Sequence, residues 1–168
     1  MPTISEGDLT FTFPTNWSAW KYDDWAHYRR QFTKVCVGVK AMDVLALEPN
    51  GCCWLVEVKD YRQHPRTKTI NLADEVAEKL RDTLAGLVSA RFRANDENER
   101  EAARLALEST DIRVVLHLEQ PEKPSRLYPR AINRANVLQR LKQLIKAIDP
   151  HPRVVEKSSM VGIPWNVT

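Results

Sequence analysis

Asp43, Glu57 and Lys59 are the residues of this chain best placed to do chemistry. They lie in "AMDVLALEPNGCCWLVEVKDYR" (41–62), two apolar runs that read as strands, where a charge is costly unless a partner meets it. Pro49-Asn50-Gly51 between the runs suits a three-residue hairpin loop. Pro presets φ at the first position, and Gly tolerates the positive φ that closes the turn. That loop sets Glu48 opposite Cys52, and counting back sets Asp43 opposite Glu57. Opposed residues share a face with Cβ atoms about 4.5–5.5 Å apart, and Lys59 joins them because side chains repeat every second residue.

Two carboxylates so close repel unless a cation intervenes. Lys59 supplies one charge. A hard divalent ion would supply more, taking carboxylate oxygens at about 2.0–2.1 Å, with the Val58 carbonyl as a further ligand. A competing reading places Glu57 and Lys59 on the wet face of an exposed strand, with Asp43 as a salt-bridge partner worth about 0–1 kcal/mol. A shift of one residue in the loop would send Asp43 to the other face.

The elements that must hold these groups follow from periodicity. "LTFTF" (9–13) alternates as a short strand. Residues 17–33 suit a helix, with Trp17, Trp20, Trp25, Tyr28 and Phe32 on one face. "KVCVGVK" (34–40) alternates as a strand. "LADEVAEKLRDTLAGLVSARF" (72–92) is the strongest helix, with Asn71 and Asp74 as a capping pair. A charge-rich helix spans 96–108, a strand 112–119, an amphipathic helix 131–148, and "RVVEK" (153–157) reads as a final strand. The order predicts an α/β fold, one mixed sheet flanked by helices, in a single domain of 1–168.

Composition sets limits. The 168 residues suffice for one core, 43% apolar and 28% charged residues are ordinary for a globular protein, and the net charge of +3 permits an anionic partner without demanding one. Cys36, Cys52 and Cys53 lack metal spacing to the histidines and read as small buried hydrophobes in a reducing compartment. His27, His117 and His151 read as structural or surface residues. The N-terminus carries acids and alternates, unlike a signal peptide, and no stretch reaches the length of a membrane span. The expectation is a cytoplasmic protein without a membrane partner. Five glycines and no nucleophile elbow argue against phosphate-loop or acyl-transfer chemistry.

An aspartate in one strand, a turn, then "EVK" (57–59) in the next resembles the PD-(D/E)XK nuclease superfamily. The helix-and-strand order over 17–118 is compatible with that family's core, with the C-terminal helix and strand (about 130–157) outside it. Met42 stands where the family often has proline. The segment 55–87 is also similar to a set of small bacterial proteins. The resemblance implies a restriction-endonuclease-like mixed central β-sheet flanked by α-helices, and metal-dependent hydrolysis of phosphodiester bonds. Asp43 and Glu57 would hold Mg²⁺ or Mn²⁺, and Lys59 would orient water or steady the phosphate. A further acid from the first helix, Asp23 or Asp24, would join them, unless either is simply an N-cap. The implied partner is nucleic acid, DNA first, and a homodimer by analogy with small nucleases that cut both strands.

After the site, "KDYRQHPRTK" offers Tyr61, Arg62, His64, Arg66 and Lys68, suited to a phosphate backbone and to base stacking; a solvated basic loop explains them equally. On the long helix Glu75, Lys79 and Asp82 sit a turn apart; the resemblance offers one of them as a supporting residue pointing at the metal site, and a stabilising Glu75–Lys79 pair is the preferred reading. Two other functions stand beside the nuclease. One is a nuclease-like module that only binds nucleic acid or protein, and the other is an unrelated α/β interaction protein. Trp165 near the C-terminus is expected to dock on the domain itself.

Overall fold

The hairpin forms as its turn chemistry requires. In the computed structural model, which describes residues 1–128 and 130–168, strands β4 (Val44–Glu48) and β5 (Cys52–Asp60) pair antiparallel, Glu48 opposite Cys52 through Val44 opposite Val56. Gly51 takes φ +81° and its N–H donates to the Glu48 carbonyl at 3.0 Å. β3 (Ser18–Lys21) adds antiparallel to the other edge of β4, while β6 (Asp111–Glu119) and β7 (Arg153–Val155) extend the sheet in parallel with β5. The order is β3-β4-β5-β6-β7. Parallel neighbours need crossovers, and helices supply them: α2 (Leu72–Arg93) and α3 (Glu97–Leu107) between β5 and β6, α4 (Arg134–Ile145) between β6 and β7.

The fold is thus mixed α/β, with one addition to the expected single sheet. A second sheet of order β1-β2-β8 is made from β1 (Thr3–Glu6), β2 (Leu9–Thr12) and β8 (Asn166–Val167). Alternation along β5 sorts its side chains between two layers. Cys53 and Leu55 pack with Leu72, Val76, Leu80 and Leu87 of α2. Trp54, Val56 and Val58 pack with Leu9, Phe11 and Phe13 around the small sheet. Trp165 docks in that second layer as expected, 3% exposed, with ring centroids 5.1 Å from Phe13 and 5.2 Å from Trp54.

Three local expectations are corrected. Residues 17–33 are not one helix but β3, a 3₁₀ turn at Tyr22–Asp24, the short α1 (Ala26–Arg30) and a second 3₁₀ turn at Phe32–Lys34. Their aromatics serve different layers, Trp17 with the small sheet and Tyr22 and Trp25 with the helices, so helical spacing did not mark one face. Residues 34–40 form no strand. Val35 and Val37 are exposed, and Gly38 at φ +80° turns the chain. Cys53 is buried and Cys52 partly so, but Cys36 is exposed, against the reading of all three as buried.

Gly86 lets α2 approach the 22–32 segment. A Cβ there would fall 2.2 Å from the Tyr22 hydroxyl and 3.3 Å from the Phe32 ring, both residues being buried. Gly→Ala in a helix ordinarily gains about 1 kcal/mol. At this position overpacking outweighs the gain, and Gly86→Ala is expected to destabilise by about 1–3 kcal/mol in chemical denaturation. A more stable variant would show that Tyr22 yields without cost.

Candidate functional site

Asp43, Glu57 and Lys59 meet under α2. Lys59 Nζ lies 2.7 Å from Glu57 Oε1, and Asp43 Oδ2 accepts from the Val58 N–H at 2.6 Å, one residue beyond the paired part of the hairpin. The helix completes the cluster. Lys79 Nζ stands 2.5 Å from Glu57 Oε1 and 3.5 Å from Asp43 Oδ1. Glu75, one turn earlier, lies 3.6 Å from Lys59 and receives Lys68 at 2.5 Å and Arg66 at 2.7 Å. Asn71 fixes where α2 begins, its side chain accepting from the Ala73 N–H at 2.9 Å. Asp74 is no part of that cap; it binds Arg140 at 2.8 Å. The expected Glu75–Lys79 pair is likewise corrected, since each residue reaches from the helix to a different strand or loop group.

Glu57 and Glu75 are both fully buried, yet their environments differ. Burial pushes the Glu57 carboxyl up to about 7, with Asp43 adding repulsion and Lys79 and Lys59 only partly offsetting it. Glu75 is also penalised by burial, but Lys68, Arg66 and Lys59 outweigh that and bring it down to about 2. Lys59 is held above the usual ammonium range: burial lowers it, but Glu57 and Glu75 prevail. Chemically, the site sets a carboxyl whose neutral form is favoured by burial beside the amines of Lys59 and Lys79.

Of the two acids expected from the first helix, Asp23 faces this cluster. It lines a cavity of about 330 Å³ with Asp43, Lys79, Tyr28 and Lys40. Burial, then the Asp43 charge, pushes its carboxyl up to about 6. Asp24, the other candidate, points outward and pairs with Arg29 and, at 3.9 Å, Lys21.

A divalent ion does not fit the acids as they stand. The Lys79 ammonium occupies the position between Asp43 and Glu57, and Asp43 Oδ2 is already engaged by the Val58 N–H. Among the described residues no three His, Cys, Asp or Glu side chains are grouped to hold a metal.

The loop after β5 also turns inward. Arg66 donates to the Tyr61 hydroxyl at 2.9 Å and the Ile70 carbonyl at 2.7 Å besides meeting Glu75. Arg62 grips Asp60 through two bonds of 2.9 and 2.6 Å. His64 alone of the expected contact residues is exposed and makes no side-chain hydrogen bond or ion pair among the described residues. His27 and His117 are buried, bonded to Ser89 and Glu119, and His151 is exposed. Lys79 was legible as one of three residues of the long helix that could support the site, the less favoured reading; nothing local marks it as the counter-ion of Asp43 and Glu57.

The chain is similar to part of a cysteine–tRNA ligase from Neisseria meningitidis serogroup A / serotype 4A (strain DSM 15465 / Z2491). Identity is 37% over 169 aligned residues, covering 82% of this chain and 24% of that protein. The chain therefore spans about a quarter of the relative's length. No protein-family model matches it, and no solved structure does. The architecture accordingly stands at the level of mixed α/β.

This likeness corrects the functional expectation. The relative is a ligase acting with tRNA, so the PD-(D/E)XK identification is set aside. With it go the phosphodiester hydrolysis it implied, DNA as its substrate, and the nuclease-like binding module offered beside it. The lysine standing between the two acids accounts for the residue pattern that suggested them. No helix among the described residues is long and apolar enough to cross a membrane.

The two glutamates predict opposite pH behaviour. Glu57 has a folded value above its ordinary 4.5, so it binds its proton more tightly when folded. Its ionisation then removes about 3 kcal/mol of stability as pH rises from about 4.5 to 7. Glu57→Gln is expected to flatten the stability profile in that window. Glu75 lies below its ordinary value, so its contribution is complete above about 4.5 and is lost as pH falls toward 2. Glu75→Gln is expected to cost about 3 kcal/mol at pH 7, with the gap to wild type closing on acidification. Urea unfolding from about pH 2 to about pH 8, a range that spans both shifted carboxyls, reads both; parallel profiles for wild type and variants would contradict them.

Proposed function

We propose that residues 1–168 act as one unit that handles RNA in the service of tRNA aminoacylation. The observation that carries this reading is the 37% identity to part of a cysteine–tRNA ligase. Contact with RNA is the share assigned to this unit, rather than the joining of an amino acid to it. The buried carboxylates and ammonium groups are turned on one another, which suits a scaffold that fixes β5 against α2. A cytoplasmic location, expected from the sequence, suits the same partner.

Binding of this kind rests on phosphate contacts and is salt-dependent, because each neutralised phosphate releases counterions. Fluorescence anisotropy with labelled bulk tRNA is expected to show binding that weakens steeply between about 50 and 200 mM salt. A DNA duplex of similar length should bind less well, since A-form and single-stranded features distinguish RNA. Equal affinity for that duplex, or no tRNA binding at about 50 mM salt, would overturn the reading.

A further inference from the structure

The modest net charge hides an uneven distribution. Residues 120–157 carry nine Lys and Arg against three Asp and Glu, a surplus of six, and the remainder of the chain has a deficit of three. That stretch comprises the loop after β6, α4 and β7. Lys123, Arg126, Lys142, Lys146 and Lys157 are exposed there, and none belongs to an ion pair among the described residues. On α4, Val137, Leu141 and Ile145 face the core. At 100° per residue Lys142 and the following Lys146 point outward with Gln139 and Gln143, all four exposed.

The loop leading into α4 is closed at its base. Gln120 acts as a clamp: its side-chain amide donates to the Ile132 carbonyl and its side-chain oxygen accepts from the Ile132 N–H, both at 3.0 Å. Arg130 reaches back to the Pro121 carbonyl at 3.4 Å. At the tip, the Ser125 N–H donates to the Tyr128 carbonyl at 3.0 Å, and the Tyr128 N–H to Ser125 Oγ at 3.1 Å. This turn presents Leu127 and Tyr128, 78% and 43% exposed, beside Arg126, which joins no ion pair among the described residues, while Arg130 is held by Glu156. An apolar residue and a tyrosine displayed among cations suit a base stacked on a ring with its phosphates alongside. The cleft beneath, about 410 Å³ at the carboxyl ends of β5 and β6, balances Arg62, Arg130 and Lys157 with Glu119, Glu122 and Glu156, so of its cations only Lys157, which joins no ion pair among the described residues, adds to this edge.

We infer that this C-terminal basic face is where the unit contacts RNA: Lys142 and Lys146 take the phosphate backbone and Tyr128 stacks on an unpaired base beside Arg126. The inference rests on the RNA-handling reading and gives it a place. The loop at 61–71, whose Arg66 and Lys68 are committed to Glu75, has the lesser part.

The test uses the full chain and three probes, bulk tRNA, a single-stranded RNA oligomer and a fully paired RNA duplex, followed by anisotropy. Lys142→Glu with Lys146→Glu is expected to weaken tRNA binding at least about 10-fold and to lower the salt slope by about 1.4–1.8. Tyr128→Ala is expected to weaken the single strand about 5- to 100-fold and leave the paired duplex unchanged. Arg30→Glu with Lys34→Glu, the same charge change at exposed cations outside this region, is expected to cost less than about 3-fold. Wild-type melting temperatures in all variants would exclude unfolding as the cause. If wild type binds tRNA but the 142/146 reversal matches the 30/34 control, this placement falls and the RNA-handling reading stands. If wild type binds none of the RNAs, both fall. Displacement of tRNA by poly-glutamate as effectively as by RNA of equal charge would assign the face to an acidic protein and overturn the inference.

Discussion

The structure depends on burying alternating charges between a sheet and a helix. Asp43, Lys79, Glu57, Lys59 and Glu75 form a chain of neighbours in which each carboxylate has a cation within 3.6 Å. Any one of these groups alone would cost several kcal/mol in the interior. Together they tolerate burial only if β4, β5 and α2 keep their register, since a slip of one residue turns Glu57 and Lys59 to the other layer if it is in β5, and Asp43 if it is in β4. The cluster therefore acts less as glue than as a selector of one arrangement. The apolar contacts of Leu72, Val76 and Leu80 supply the bulk of the attraction.

How much of this was legible depends on the range of the interactions. The β4–β5 hairpin could be read because its turn is local: Pro49 and Gly51 dictate the register without help from the rest of the chain. α2 could be read because its apolar stripe is long and its cap lies beside it. Residues 17–33 misled because Ser18–Lys21 answer to β4, a partner more than twenty residues away, while their aromatic spacing imitates a helix. The second sheet was invisible for the same reason, since β8 pairs with β2 from the other end of the sequence.

The site shows the same division. That two acids and a lysine share a face followed from the turn. What balances them did not, because Lys79 arrives from α2 and its sequence neighbours offer Glu75 as the obvious partner. The pattern Asp, turn, Glu-x-Lys therefore suggested a metal where the structure places an ammonium. Net charge was similarly uninformative until it was divided by position, when the surplus on 120–157 emerged.

The Gln120 clamp separates two regions that answer to different pressures. A side-chain amide closes the base of the loop as a ladder rung would, so order at its root does not depend on the residues at its tip. Tip residues are then able to diverge between related proteins, in length or in lettering, while the sheet behind them stays constant. Recognition on this face is free to be rewritten without the scaffold having to be reinvented.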